Sequence, residues 1–238
     1  MPRLAAIRIF PVKSLDAVSL PSARIVGGTL ENDRRFAIVD SNGRVINAKR
    51  TDRIHSMRLP ADFDWSRSVF ERQLSGHFGF AVHLEENTEG GFPDDQDASG
   101  PTIVSTGTLA TVASWFPGLS LEDVRRRFRA NLEIDGAPAF WEDQLFGESG
   151  STVAFRVGMA TILGTNPCQR CVVPSRDQIT GVATPDFQRI FRTRREETLP
   201  SWAPLSRFDH FYRLAVNTRI LPSEHGKELR VGDAVELS

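Results

Sequence analysis

The 238-residue sequence holds only two cysteines, Cys168 and Cys171. So few exclude a disulfide scaffold, and without a signal peptide they point to a reducing compartment, the cytoplasm. They also exclude an iron–sulfur cluster held by this chain alone, because such clusters typically take four thiolates. The five histidines (His55, His77, His83, His210 and His225) include no close His-x-x-His pair. A structural zinc site needs four ligands, and the cysteines supply two. No apolar run approaches the length of a membrane span. No Gly-x-Gly-x-x-Gly fingerprint follows a strand, which leaves a nicotinamide- or flavin-binding fold unsupported. Neither sign of charge dominates: the formal net charge is -1. Bulk electrostatic binding to nucleic acid or to a membrane is therefore not expected. Internal repeats and low-complexity tracts are absent.

What is present is a soluble, globular composition, 40% hydrophobic and 25% charged. The length suits one large domain or two small ones. Both cysteines fall in one stretch, Asn166 to Gly181, with Arg170 directly before Cys171. A thiolate is a soft ligand for metal or sulfur chemistry, and an adjacent arginine favours the charged thiol. A thioredoxin-like reading needs the second cysteine at a helix start. Here Cys171 runs into Val172-Val173-Pro174, which reads as a strand with a stop. A buried, inert thiol pair is the plain alternative, weakened by the polar Gln169 and Arg170 between the cysteines.

Along the chain, strand patterns cover Leu4 to Val12, Ala23 to Val26, and a hairpin from Asn32 to Ala48, with a basic lead-in, turning at Asp40-Ser41-Asn42-Gly43. Residues 54–60 and 79–85 also read as strands. The turn-rich, acidic stretch Gly90 to Asp97 is the best linker candidate and divides the chain into 1–97 and 98–238. Beyond it, Pro101 to Ser105 reads as a strand leading into a helix over Leu109 to Phe116. Ser105 and Thr106 there can bind an anion at the helix start or simply cap the helix. Ser120 and Asp123 are spaced as a capping box for a second helix. Its arginine run, Arg125 to Arg127 and Arg129, lacks the interleaved aromatics of a nucleic-acid patch, and the run outside Arg129 reads as solvated. Val153 to Val157 and Ala160 to Leu163 form strands. Thr184 to Arg195 reads as a helix with Pro185 at its first position. Phe211 to Val216 and Leu229 to Leu237 close the chain as strands.

Arg170-Cys171 followed by Asp177-x-x-Thr180-Gly181 resembles the signature of the MOSC domain, found in molybdenum cofactor sulfurases, YcbX-like proteins and the amidoxime-reducing enzymes. The rest of the chain agrees in order. Ile9 to Ser14 is similar to the family's Tyr-Pro-Ile/Val-Lys-Ser opening, Arg34 fills its Asp-Arg position, and Asn47 to Arg50 loosely matches its Thr-Ala-Arg-Gln. Phe128-Arg129-Ala130-Asn131 fits Phe-Arg-Pro-Asn except at Ala130. Phe140 to Asp143 resembles its acidic pair, and Leu229 to Val235 its closing Val-Gly-Asp pattern.

The resemblance implies an α+β, strand-rich fold: an N-terminal MOSC β-barrel-like domain followed by a closed MOSC β-barrel with peripheral helices. It implies a molybdenum cofactor with Cys171 as metal ligand and catalytic centre. Lys13, Arg34, Arg129 and Arg170 would surround the anionic pterin, with Ser105 and Thr106 at its phosphate and Asn131 fixing a turn. Asp143 would pair with the pterin edge or hold Arg129. The implied reaction is reduction of N-hydroxylated substrates such as amidoximes and hydroxylamines. Pyridoxal phosphate binding is a further family-level expectation. A sulfur carrier using a Cys171 persulfide, or a cofactor store, are the alternatives. The eukaryotic amidoxime reducers carry an N-terminal membrane anchor, and YcbX-like relatives often carry a cysteine-rich ferredoxin domain. This chain begins almost at its first strand and ends after the closing pattern. Electrons are thus expected from a separate ferredoxin- or flavodoxin-type protein with its reductase, with no membrane or nucleic-acid partner.

Overall fold

The computed structural model describes residues 1–59 and 67–237. Its elements are β1 (Arg3–Ile9), β2 (Val18–Leu20), β3 (Ser22–Val26), β4 (Thr29–Leu30), β5 (Phe36–Asp40), β6 (Val45–Ile46), α1 (Ser68–Phe78), β7 (Val82–Glu86), β8 (Ile103–Ser105), α2 (Thr106–Ser114), α3 (Leu121–Phe128), β9 (Leu132–Asp135), β10 (Val153–Val157), β11 (Ala160–Gln169), α4 (Phe187–Glu197), β12 (Arg213–Arg219), β13 (Glu228–Arg230) and β14 (Val235–Leu237). The expected strand-rich α+β class is the one observed.

Eight strands form one sheet in the order β14-β10-β11-β12-β8-β9-β1-β2; β13-β3-β4 and β6-β5-β7 form two smaller sheets. The pairing is antiparallel except between β8 and β9. The expected closed barrel is not formed, because the large sheet ends at β14 and β2. Along the edge of β1 away from β9, β2 takes Ile7 to Ile9. That leaves the start of β1 for the C-terminal segment, which meets it in one bridge, Arg3 to Ala234, and in backbone hydrogen bonds from Val235 to Pro2, from Leu4 to Asp233 and from Gly232 to Leu4. The contact does not continue into a ladder with β14, which pairs in register with β10.

Alternation drives these strands. In β3, Ala23 and Ile25 point inward while their neighbours face out. The largest apolar cluster lies against the eight-stranded sheet and draws on both ends of the chain, from Leu4 to Val235. A second packs α2, α3 and α4 together through Phe128, Phe187 and Phe191. A third packs α1 on the β6-β5-β7 sheet and takes in Val173, with Cys171 at its margin. Close packing also fixes Gly164 in β11, where a Cβ would lie 1.7 Å from the Leu145 carbonyl oxygen.

Several expectations need correction. Asp52–Ser56 is a 3-10 helix, not part of a strand over 54–60, and residue 60 lies outside the described residues. Val173–Ser175 after Cys171 is also a 3-10 turn. Proline at its first turn suits that conformation, having no N–H to donate there. Pro185 precedes α4 rather than entering it; Asp186 is the cap, in a left-handed conformation. Helix α1 carried no signal before its first turn: its cap, Arg67, makes no side-chain cap bond. Burial of Phe70, Leu74 and Phe78, one turn apart, stabilises it instead. The expected capping box of α3 is present, with Ser120 and Asp123 bonded reciprocally.

Candidate active site

A cavity of about 830 Å³ takes in the cysteine stretch, the β1–β2 connection and the acidic 90–97 segment. Its lining carries eight lysine and arginine side chains against three aspartates, on a chain whose formal net charge is -1. Cys168, Arg170 and Cys171 all face it.

The end of β11 sets the two thiols apart. Side chains two residues apart on a strand share a face, and adjacent ones do not. The Arg170 guanidinium accordingly donates to Cys168 Sγ at 3.0 Å, not to Cys171, and lies over the Phe128 ring at 5.3 Å. The expected Arg170–Cys171 pairing is thus corrected to Arg170–Cys168. Cys171, half-buried, follows the strand and packs against the apolar cluster of α1 and the β6-β5-β7 sheet. The signature's later residues hold this segment in place. Asp177 Oδ1 accepts from the backbone of Ile179 and Thr180 and from the Thr180 hydroxyl. Gly181 sits at φ 75° against the Asp52 carbonyl, where a Cβ would come within 3.1 Å.

Lys13, Arg34 and Arg129 come together, as expected, although they are far apart in sequence. Arg129 caps α3 in a left-handed conformation, which turns its side chain out of the helical path. Two guanidinium groups lie over the Phe10 ring, that of Arg129 at 4.1 Å and that of Arg34 at 5.3 Å from its centroid. Arg34 pairs with the buried Asp33. Arg129 donates to the Leu15 carbonyl at 2.6 Å and forms no ion pair among the described residues. Burial, then the neighbouring Arg34, lowers its pKa to about 10. Lys13 reaches Asp94 at 2.8 Å, and Lys49 reaches the same carboxylate at 3.4 Å. The 90–97 segment is therefore part of the cavity wall as well as a connection.

Four expected binding residues do not line the cavity: Ser105, Thr106, Asn131 and Asp143. Ser105 caps α2 through the Thr108 N–H, and Thr106 donates to Glu133. Carboxyl groups already occupy that helix start. Glu142 is buried there, and burial, then the adjacent Asp143, pushes its pKa up to about 7. Asp143 forms a buried ion pair with Arg195, not a contact with Arg129. Asn131 bonds Arg8, Thr102 and Arg34, fixing the turn and bracing Arg34 from behind.

Arg127, expected to be solvated, is 3% exposed and donates to the Pro174 carbonyl and Thr184 hydroxyl. The signal was its position on the buried face of α3 beside Val124 and Phe128. Arg207 and Arg213 also line the cavity. Nothing in their local pattern marks them; only the pairing of β11 with β12 brings them there. Among the described residues, no three His, Cys, Asp or Glu side chains gather as a metal site. No helix among them is long and apolar enough to cross a membrane.

The chain is similar to a molybdenum cofactor sulfurase of Drosophila grimshawi, at 26% identity across 78% of this chain and 29% of that protein. It thus spans under a third of that relative. Two solved structures align along nearly its whole length. One is a hypothetical protein, at 13% identity and a TM-score of 0.46, with 100% of this chain and 68% of that one covered. The other is the YUAD protein from Bacillus subtilis, at 15% identity and a TM-score of 0.42, with 99% and 95% covered. A model of the MOSC N-terminal beta barrel domain matches residues 1–117. A model of the MOSC domain matches residues 98–236, more than half of the chain, and the protein therefore belongs to the MOSC-domain family.

Proposed function

We propose that this cavity binds a molybdenum cofactor and that the protein reduces N-hydroxylated compounds of the amidoxime and hydroxylamine type. One observation carries the reading: a thiol, Cys171, shares a cavity with a desolvated arginine, Arg129, that lacks a carboxylate partner. A clustered, partly buried cation is costly unless an anion joins it. The family match and the sulfurase relative support molybdenum cofactor as that anion.

The donor set suits such a group. Besides Arg129, which has no ion pair among the described residues, Arg127 and Arg170 each bury an Nε atom without a hydrogen-bond partner. Cys171 would ligate the metal through its thiolate. Arg129, Arg34 and Lys13 would hold the anionic pterin, and Phe10 keeps both guanidinium groups stacked and oriented. Release of Lys13 from Asp94 would free its ammonium for the ligand. The cofactor, when bound, supplies the redox chemistry, and the protein supplies binding, orientation and electrostatics. The electrons would come from a separate ferredoxin- or flavodoxin-type carrier with its reductase.

The test is elemental and pterin analysis of the native protein, followed by turnover with a reduced viologen dye and an N-hydroxylated substrate. Molybdenum and pterin near one per chain, with turnover, support the reading; cofactor without turnover favours a store. A second reading, sulfur delivery by a Cys171 persulfide, is favoured by the sulfurase relative. Labile sulfane sulfur without pterin would support it.

A further inference from the structure

The cavity carries a second group of cations that the proposed cofactor site does not use. Arg207 closes a 3-10 turn before β12, and Arg213 opens β12. Both reach β11 just before the first thiol: Arg207 donates to the Thr165 carbonyl at 3.2 Å and Arg213 to the Pro167 carbonyl at 3.1 Å. Cys168 is the next residue.

The two guanidinium groups are unequally neutralised. Arg213 pairs with Asp209 at 2.6 Å, but that carboxylate is 69% exposed and its charge is screened by solvent. Arg207 also donates to the Gly147 and Glu148 carbonyls at 2.6 and 3.1 Å and forms no ion pair among the described residues. These carbonyls fix its plane without cancelling its charge. Burial, then Arg213, lowers its pKa. Lys13 and Lys49 share the Asp94 carboxylate at ion-pair distance, whereas Glu148 acts on Arg207 without forming an ion pair with it.

We propose that Arg207 and Arg213 form a recognition site for a carboxylate on the substrate, separate from the cations at Phe10. A planar guanidinium matches a carboxylate through paired hydrogen bonds. The substrate class is then a small organic anion whose remainder lies in the same cavity as the thiols. Naming it a substrate rests on the function proposed above; the carboxylate site itself does not.

Calorimetric titration of the purified full-length chain with 4-carboxybenzamide and with neutral benzamide tests the site directly. The carboxylated probe is expected to bind at least about tenfold tighter, the worth of one charge-assisted hydrogen bond. Arg213→Gln should remove most of that difference. Arg207→Lys, which keeps the charge and loses the fork, should also reduce it in protein of unchanged melting temperature. Equal binding of both probes by the unaltered chain overturns the site. So does a preference that survives both substitutions, or one lost in Arg129→Ala instead. A second measurement compares kcat/KM for 4-carboxybenzamidoxime and benzamidoxime with reduced viologen. The ratio should favour the carboxylated compound about tenfold and fall toward one in Arg213→Gln. Absence of all turnover alongside intact carboxylate binding overturns the assigned reaction and leaves the carboxylate site standing.

Discussion

Two places in this fold offer themselves to an anion, and their chemistry is opposite. At the start of α2, backbone donors and hydroxyls suit a phosphate, but the carboxyl groups of Glu133 and Glu142 already sit there. At Phe10, two arginines share one ring, and one of them lacks an ion-pair partner among the described residues. A helix start is an anion site only while its donors are free. A desolvated cation without an ion-pair partner is the stronger indication, because its cost falls when the anion arrives.

The largest effect is expected at the thiols. Cys171→Ser should abolish molybdenum retention or turnover, while Cys168→Ser leaves much of both, read by metal analysis and viologen-linked assay. Equal loss would show that the Arg170-bonded Cys168 works as one unit with Cys171. Next, Arg129→Ala should weaken cofactor binding about ten- to a hundredfold, as for loss of a charge-assisted hydrogen bond. Thr106→Ala, at the occupied helix start, should leave cofactor content unchanged. A reversal of the two would return the phosphate to α2.

Glu142 tests the other side of the comparison. Its folded pKa is raised from 4.5 to about 7, so the folded chain holds a proton there that the unfolded chain releases. That contribution is full below about pH 4.5, declines as pH rises, and is gone above about pH 7. Glu142→Gln should therefore gain stability over the unaltered protein between pH 5 and pH 8, on the order of 3 kcal/mol. Urea unfolding of both proteins at the two pH values measures this. A constant difference would show that Glu142 stays ionised throughout.

Local pattern was legible where backbone chemistry decides. The Ser120–Asp123 box, the hairpin turning at Gly43 and the strand pair around Gly158 all appear where expected. The gathering of Lys13, Arg34 and Arg129 was legible only through family resemblance, since no spacing rule links residues so far apart. Three features were not legible. Barrel closure fails because β2 and the C-terminal segment share one edge of β1. Asp143 turns to Arg195, which lies 52 positions away on α4. Arg170 turns to Cys168 because strand alternation continues past the last paired residue of β11. Each depends on a tertiary partner that no window of local sequence contains.

The smallest expected effect concerns Asp94, which neutralises part of the cationic wall from within. Burial acts to raise its pKa, but the hydrogen bond and charge of Lys13, then the charges of Lys49 and Arg34, outweigh that and hold it at about 2. It is thus ionised throughout the neutral range, and its hold on Lys13 lapses only as pH falls through about 2. Any anion bound by Lys13 must compete with it. Asp94→Asn keeps the shape and removes the charge, so inorganic phosphate should bind the purified chain a few-fold tighter at pH 7. The gain should be modest because the Asp94 side chain is 60% exposed and water already screens the pair. The gain should also vanish when Lys13→Ala is added, since the freed ammonium is its source. Tighter binding that persists without Lys13 would place the competing charge at Lys49 or Arg34. Unchanged affinity in Asp94→Asn would show that phosphate and Asp94 occupy different parts of the cavity.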